Sequence, residues 1–233
     1  MAEKKGNIHE VTTLHGRIAV FADRRHGGEV LAGVVPPNCR DGVVLGIPAG
    51  GVPVAARLAE LLRLPLDVAA VSKIVLPWNS EAGYGAVAYD GTVLLNEKLL
   101  PTLGLDEAEI RKGIERTTEK VRQRIGRFRG DRPWPDVTTG TVILVDDGLA
   151  SGFTMQAAVA ALRREGAKRI VVAVPTGHDR AVARLAGEVE ALCCANIRSG
   201  WSFAVAAAYR QWHDVSDEEV EALLRRQPVE KNP

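Results

Sequence analysis

Residues 141–154, TVILVDDGLASGFT, carry the pattern that decides the fold. The stretch opens with the strongest strand signal in the chain, a run of β-branched and apolar residues, and two acids, Asp146 and Asp147, follow it directly. Small residues come next, and residues 155–167 then have the alanine-rich spacing of a helix. The stretch therefore predicts a buried strand that ends in two carboxylates, followed by a loop that opens a helix.

The same alternation of strand and helix extends in both directions from this stretch. Short apolar runs that read as strands lie at residues 43–47, 67–71, 169–175 and 189–196, and helical patterns begin after residue 50 and at residue 180. Alternation at this rhythm predicts an α/β fold with a mostly parallel, Rossmann-like sheet and helices on both of its faces.

The remaining segments carry more local signals. Residues 73–85 are rich in Gly and contain Pro and Asn, which predicts a loop, and residues 86–95 read as a hairpin around an Asp-Gly turn. Residues 106–130 predict a long charged helix, whose arginine-rich part, 122–129, we interpret as a solvated face, with a functional basic patch as the alternative. Residues 216–226 predict a helix with a Ser216–Glu219 capping box.

The composition is that of a soluble enzyme. The 233 residues are 46% hydrophobic and 25% charged, and 30 Lys plus Arg against 29 Asp plus Glu leave a net charge of +1, which disfavours a nucleic-acid binder. Three cysteines make no disulfide framework, and no Cys/His cluster has zinc-ligand spacing. The charged N-terminus predicts no secretory signal, and no apolar run reaches the ~18 residues of a membrane span. We expect a cytoplasmic protein and a single domain over residues 1–233.

The loop after the acids has the chemistry of a phosphate site. Two carboxylates at a strand end are costly to bury unless they meet partners such as sugar hydroxyls or Mg²⁺-held water. The small residues that open the helix leave backbone N–H groups free, and the helix dipole favours an anion there. Ser151 and Thr154 add hydroxyl donors, and Gly152 allows close approach. The loop therefore predicts a site for a ribose and its 5′-phosphate, although it is neither a Walker loop nor a GxGxxG loop.

These residues resemble the 5-phosphoribosyl 1-pyrophosphate (PRPP) signature of the type I phosphoribosyltransferases. The similarity covers most of the chain and favours a bacterial and archaeal branch whose acceptor is unassigned. It is carried by FADRRHGG (21–28), IPAGGVPVA (47–55), VSKI (71–74), GYGAVAYDG (83–91), LNEKLL (95–100) and VSDEEV (215–220).

The resemblance implies a role for each matching position. Asp146 and Asp147 would engage the ribose hydroxyls, directly or through Mg²⁺, and thereby also serve as the metal site. The 5′-phosphate would lie in the cradle formed by Ala150, Ser151, Gly152, Phe153 and Thr154. Ala49, Gly50 and Gly51 would form the pyrophosphate loop, and Lys73 would supply a catalytic cation.

The resemblance also implies a core over about 38–196 and a hood built from about 8–35 and 197–226. A flexible lid over 74–85 would close over the reacting centre. Trp201 and Phe203 are candidates to stack on the acceptor base, with packing in the core or a dimer interface as the alternative. Phe21, Asp23, Arg24 and Arg25 are a second set of hood candidates, for which surface ion pairs are the alternative.

Two positions depart from the family pattern. Ala49 stands where the branch usually has Arg, which removes a charge-assisted donor for pyrophosphate or for a partner subunit. Ala150 stands where hypoxanthine–guanine enzymes carry an Asp that handles the purine proton. The loop therefore supplies no general base, which disfavours 6-oxopurine acceptors.

The resemblance implies an Mg²⁺-dependent, homodimeric phosphoribosyltransferase that displaces pyrophosphate from PRPP with a nucleobase-like acceptor. Two other functions stay open. One is a non-catalytic regulator of the same fold that senses PRPP or a nucleotide, and the other is a ribosyl-phosphate hydrolase.

Overall fold

A computed structural model describes residues 5–226 of the chain, apart from the side chains of residues 5, 80 and 81. Residues 1–4, on which the expectation of no secretory signal partly rests, lie outside the described residues. Residues 227–233 of the predicted domain also lie outside them. Six parallel strands form the main sheet in the order β1-β9-β8-β7-β2-β3. The predicted parallel α/β architecture is therefore confirmed.

The elements alternate along the chain as the apolar runs predict, with additions at the N-terminus. The strands are β1 (Ile8–His9), β2 (Val43–Gly46), β3 (Leu66–Val68), β4 (Val71–Leu76), β5 (Asn79–Ala88), β6 (Val93–Leu95), β7 (Thr141–Val145), β8 (Arg169–His178) and β9 (Ala191–Arg198). The helices are α1 (Arg24–Val34), α2 (Gly51–Leu62), α3 (Glu107–Arg129), α4 (Phe153–Arg164), α5 (Asp179–Ala186) and α6 (Asp217–Arg225). Strand β1 and helix α1 have no counterpart among the predicted elements.

The central strand β7 is buried along its whole length and packs on both faces. Val142 and Leu144 belong to a core shared with helices α4 and α5. Ile143 and Val145 point the other way, into a core shared with α1, α2 and α6. This alternation is the period-two pattern of a strand, and it places helices on both faces of the sheet, as predicted.

A second, antiparallel sheet has the order β4-β5-β6 and corrects the prediction of a loop over residues 73–85. Strands β4 and β5 pair across this segment, and Ile74, Leu76 and Tyr84 bury their side chains against Val121 of α3. The prediction missed the strands because glycines interrupt the apolar alternation. The predicted strand at 67–71 is likewise two strands, β3 and β4, which belong to different sheets.

The arginines of α3 pair with acids on other elements. Arg124 and Arg127 form ion pairs with Asp217 of α6, and Arg127 also pairs with Glu218 and Glu221. Arg122 and Arg127 are exposed, as the interpretation of residues 122–129 as a solvated face predicts, and Arg124 and Arg127 in addition tie α3 to α6. The pairing also removes the basis for a free basic patch at these positions.

The cysteines and the helices can be compared with two further predictions, the absence of a disulfide framework and of a membrane span. Cys39, Cys193 and Cys194 are buried free thiols, in agreement with the absence of a disulfide framework. Burial raises the pKa of the Cys193 thiol to about 12. Among the helices of residues 5–226, none combines the length and the apolar character that a membrane crossing requires.

Candidate functional site

Two loops meet at the carboxyl edge of the main sheet, where parallel α/β sheets bind their ligands. Asp146 and Asp147 follow β7, and the loop at 47–50 follows its neighbour β2, with Gly46 and Val145 paired in register. The two loops start together because the Ile47 N–H donates to the carbonyl of Val145 over 2.8 Å. The fold thus joins two segments that the sequence separates by about a hundred residues.

Gly50 and Gly51 lie directly against the acid pair. A Cβ built on Gly50 would lie 2.0 Å from Asp147 Oδ2, and one on Gly51 would lie 2.8 Å from Asp146 Cα. A larger residue at position 50 would displace the Asp147 carboxylate, and one at position 51 would displace the backbone of Val145 and Asp146. The peptide bond that precedes this pair, between Pro48 and Ala49, is cis.

Replacing Gly50 by Ala is expected to impair the site without unfolding the protein. The backbone at Gly50 has φ −61° and ψ −31°, which alanine adopts freely, so the change acts only through contact with Asp147. Displacing this carboxylate by about 1 Å would cost about a hundredfold in kcat/KM. The matched control is Gly126→Ala in α3, where an added Cβ meets nothing within 4 Å. Equal activity in the two variants would contradict the contact.

The two carboxylates carry unequal electrostatic costs. Burial, with Asp147 adjacent, holds the pKa of Asp146 well above its usual range. Burial also raises the pKa of Asp147, against the opposing influence of the Arg24 guanidinium. Arg24 Nε donates to Asp147 Oδ2 over 2.9 Å, whereas Asp146 Oδ1 accepts from the Asp147 backbone N–H. The pair therefore holds two acids against one cation and favours a further positive partner.

Arg24 is fixed on every side. Its side chain is 7% exposed, its Nη1 donates to the His213 carbonyl over 2.8 Å, and its guanidinium lies 3.8 Å above the Trp212 ring. It enters the site from helix α1, and it was one of the hood candidates in the sequence. The alternative of a surface ion pair for this residue is wrong, because Arg24 is buried and Asp147 is only 15% exposed.

Two other groups complete this side of the site. The Tyr209 hydroxyl donates to the Asp147 carbonyl, and the Phe21 ring, fully buried, packs against Tyr209 at 5.6 Å. Phe21 therefore faces the core and cannot contact an acceptor, which corrects its place among the hood candidates. No local signal marks Tyr209, because only the fold brings it to the strand end.

The predicted phosphate loop lies at the N-terminus of α4. Gly152 precedes the helix with φ +80°, a left-handed conformation that favours glycine. Gly152 has no side chain to cap this end, and Ser151 Oγ accepts only from the Phe153 N–H, over 3.5 Å, so the next first-turn N–H groups stay available to an anion. Ala150 and Ser151 are exposed, while Phe153 and Thr154 are half-buried.

Helix α5 supports this loop from outside. Arg184 Nη2 donates to the Ser151 carbonyl over 2.6 Å, and the Arg184 guanidinium lies 5.6 Å from the Phe153 ring. Sequence reasoning missed Arg184, because the pattern of α5 marks only its apolar face. The contact places one more cation beside the predicted phosphate cradle.

The other predicted site residues lie further from the acid pair. Lys73 is exposed on β4, and its aliphatic stem crosses Gly83 of β5. Trp201 is fully exposed, so it packs neither in the core nor against the acid pair of the described chain. Phe203 is half-buried and meets the His178 ring edge-on at 5.4 Å. The structure thus places Gly50 and Gly51 in direct contact with the acid pair. The roles of Lys73, Trp201 and Phe203 stay predictions.

A family model, curated relatives and a solved structure all match this chain. Residues 37–208 match the family model for a phosphoribosyl transferase domain. A Mycobacterium tuberculosis protein named "Putative phosphoribosyl transferase" is 38% identical over 208 residues in each of two strains, covering 89% of this chain and 47% of the relative. The chain therefore spans about half the length of these curated relatives. A Thermus thermophilus protein of known crystal structure is 38% identical with a TM-score of 0.70, covering 88% of this chain and 97% of that protein.

Proposed function

The chain belongs to the phosphoribosyl transferase domain family, and from this premise we propose that it transfers the phosphoribosyl group of PRPP to a nitrogen heterocycle in an Mg²⁺-dependent reaction.

One observation carries the proposal. The acid pair, the Gly50–Gly51 loop and the N-terminus of α4 all lie at the ends of strands β2 and β7, which are neighbours in the sheet. These elements suit the three parts of PRPP: hydroxyls for the acids, pyrophosphate for the glycine loop and a 5′-phosphate for the helix N-terminus. A residue larger than glycine at position 50 would push this arrangement apart.

The donor set fits a hard divalent cation. Asp146 and Asp147 offer carboxylate oxygens, which Mg²⁺ prefers, and only the Arg24 cation offsets their charge. No cluster of three or more His, Cys, Asp or Glu suited to a metal occurs in residues 5–226. Mg²⁺ usually binds through one or two carboxylates together with substrate oxygens and water. When bound, the ion would neutralise the charge that develops on the leaving pyrophosphate.

The chain's own residues would position the reactants. The acids would hold the ribose hydroxyls, and the backbone N–H groups of residues 150–154 would hold the 5′-phosphate. The acceptor nitrogen then forms a bond to C1 of the ribose while the bond from C1 to the pyrophosphate oxygen breaks, and the electron pair leaves with pyrophosphate. Such a reaction needs orientation and electrostatic stabilisation rather than a protein nucleophile.

The two family departures shape this proposal. Ala49 brings no charge to the pyrophosphate loop, so the leaving group would depend on Mg²⁺, on Lys73 and on backbone donors. Ala150 is exposed and supplies no base. An acceptor that is already deprotonated, or that loses its proton to solvent, suits this site best.

A PRPP-sensing regulator is the second candidate from the sequence. Its support came from Ala49 and from the arginine-rich residues of α3. Arg124 and Arg127 are now engaged by the acids of α6, which leaves them unavailable as a nucleic-acid surface. We therefore favour the enzyme. Homodimer formation stays an expectation from the family.

Pyrophosphate release separates the candidates. Purified protein with Mg²⁺ and PRPP is expected to release pyrophosphate only when a suitable heterocycle is added, and chelation of Mg²⁺ is expected to stop the release. A panel of purine, pyrimidine and pyridine bases, including carboxylated ones, covers the acceptor classes. Release without any base would indicate a hydrolase, and PRPP binding without release would indicate a regulator. Either result would contradict the proposed transfer.

A further inference from the structure

Arg198, the last residue of β9, is a buried cation without an acidic partner. The residue is 8% exposed, and among the side chains that the structure describes no carboxylate pairs with it. The other two buried arginines do have such partners, since Arg24 pairs with Asp147 and Arg129 with Asp67. A buried charge is costly unless it is paired, and the Arg198 nitrogens that lack a partner are not among the fully buried unpaired atoms, so they face solvent where a ligand can reach them.

The contacts that Arg198 does make leave most of its donors unused. Its Nη1 donates to the Ala204 carbonyl over 3.0 Å, and its guanidinium lies 5.0 Å from the Phe203 ring. A guanidinium has five N–H donors in a planar fork. Burial lowers the pKa of Arg198, and nothing opposes that effect. A neutral amide side chain could make the same contact to Ala204 without burying a charge, so holding this loop does not account for an arginine.

Arg198 stands next to the proposed catalytic site. It lies at the carboxyl end of β9, in register with His178 at the end of β8. The segment 199–205 then folds back, and a Cβ added to Gly148 would lie 2.4 Å from Val205 Cγ1. Val205 directly follows Ala204, whose carbonyl accepts from Arg198, and Gly148 directly follows the acid pair. The guanidinium is thus linked to the acid pair through one short stretch of packed chain.

We propose that Arg198 binds an anionic group of the acceptor, so that the acceptor class is a planar nitrogen heterocycle that carries a carboxylate. This inference rests on the proposed function, because it assigns the acceptor half of the same site. The planar fork of Arg198 matches a carboxylate through two parallel hydrogen bonds. The Phe203 ring, in contact with both Arg198 and His178, supplies an aromatic surface beside this position.

A buried arginine in the acceptor site would determine which acceptors react. A site built around a buried charged donor rejects ligands that leave the donor unpaired, and such sites discriminate far more strongly than apolar pockets do. Neutral bases of similar size are therefore expected to be poor acceptors. A carboxamide, which is nearly isosteric with a carboxylate but uncharged, is the sharpest comparison.

The test compares matched acceptors on matched variants. Pyrophosphate release from Mg²⁺ and PRPP is measured with pyridine and pyrimidine carboxylates and with the carboxamide of each. In the unmodified protein we expect kcat/KM to be at least about a hundredfold higher for a carboxylate than for its carboxamide, as for a charge-assisted contact. In Arg198→Met we expect this ratio to fall to about one. Arg180→Met removes an exposed arginine of α5 and is expected to keep the ratio.

The outcomes distinguish a failure of the proposed role of Arg198 from a failure of the proposed transferase function. Turnover of neutral bases with no preference for carboxylates, unchanged in Arg198→Met, would overturn the role of Arg198 and leave the transferase intact. No release with any base, together with no PRPP-dependent melting shift, would overturn both. If Arg198→Met does not fold, Arg198→Lys keeps the charge but loses the fork. It is expected to retain a reduced carboxylate preference, and an unreduced one would contradict bidentate binding.

Discussion

Replacing Asp146 by Asn is expected to raise the melting temperature of the ligand-free protein while it removes most of the transfer activity. Burial and the neighbouring Asp147 hold the pKa of Asp146 well above its usual range, so its ionised form is costly in the folded state. Asparagine has the same shape without the charge and can still accept the Asp147 N–H. Each kcal/mol recovered would raise the melting temperature by about 2–4 °C in a domain of this size. Activity is expected to fall by about 10²–10³-fold.

Asp147→Asn is the matched comparison, and it should stabilise the protein less than Asp146→Asn does, because the Arg24 guanidinium opposes the burial that raises the pKa of Asp147. Asp147 is the partner of the buried Arg24, so its neutralisation leaves that guanidinium without a counterion. Differential scanning fluorimetry without ligand measures both variants under the same conditions. A rise in melting temperature for Asp147→Asn as large as that for Asp146→Asn would contradict the assignment of unequal electrostatic roles to the two acids.

Replacing Arg24 by Met is expected to cost about 3–5 kcal/mol of unfolding free energy, the loss typical of breaking a buried ion pair from one side. The change removes the contact to Asp147 and the hydrogen bond to the His213 carbonyl, and it leaves the half-buried Asp146 and Asp147 without this cation. Urea unfolding measures the loss. Arg25→Met is the control, because Arg25 is 59% exposed and its two nearest carboxylate oxygens lie 3.7 and 3.9 Å away. Its change should stay within about 0.5 kcal/mol.

A double-mutant cycle isolates the pair itself. In an Asp147→Asn background, Arg24→Met should cost clearly less than it does alone, because the charge that it would strand is already absent. Additive effects of the two changes would show that Arg24 stabilises the fold only through Trp212 and His213. The positioning role of Arg24 at the acid pair would then be wrong.

The order of strands and helices in the core could be predicted from the sequence because its signals are local. The strand at 141–145 alternates between two cores, and the Ser216–Glu219 capping box forms as predicted. The hairpin of β4 and β5 could not be predicted in this way. Its glycines break the apolar pattern, and its strands are stabilised by packing against α3, which follows later in the chain.

The residues of the candidate site also fall into two groups, those that a local motif predicts and those that only the fold brings together. The acid pair and the phosphate loop adjoin each other in sequence, so one motif predicts both. Arg24 and Asp147 lie 123 residues apart, and Tyr209 and Arg198 also reach the site only through the fold. No spacing rule connects such residues. The missing arginine at position 49 could be read from the sequence, but the buried cations elsewhere in the site could not.

PRPP binding to the acid pair is the central claim, and a melting-shift titration with PRPP and Mg²⁺ tests it most directly. In the unmodified protein, PRPP at about a hundred times its Kd should contribute about 2.7 kcal/mol of stability, which is a shift of several degrees. The double variant Asp146→Asn/Asp147→Asn should show no PRPP-dependent shift, while Asp131→Asn, an exposed carboxylate beyond α3, should keep the full shift. An undiminished shift in the double variant would place PRPP elsewhere and contradict the account.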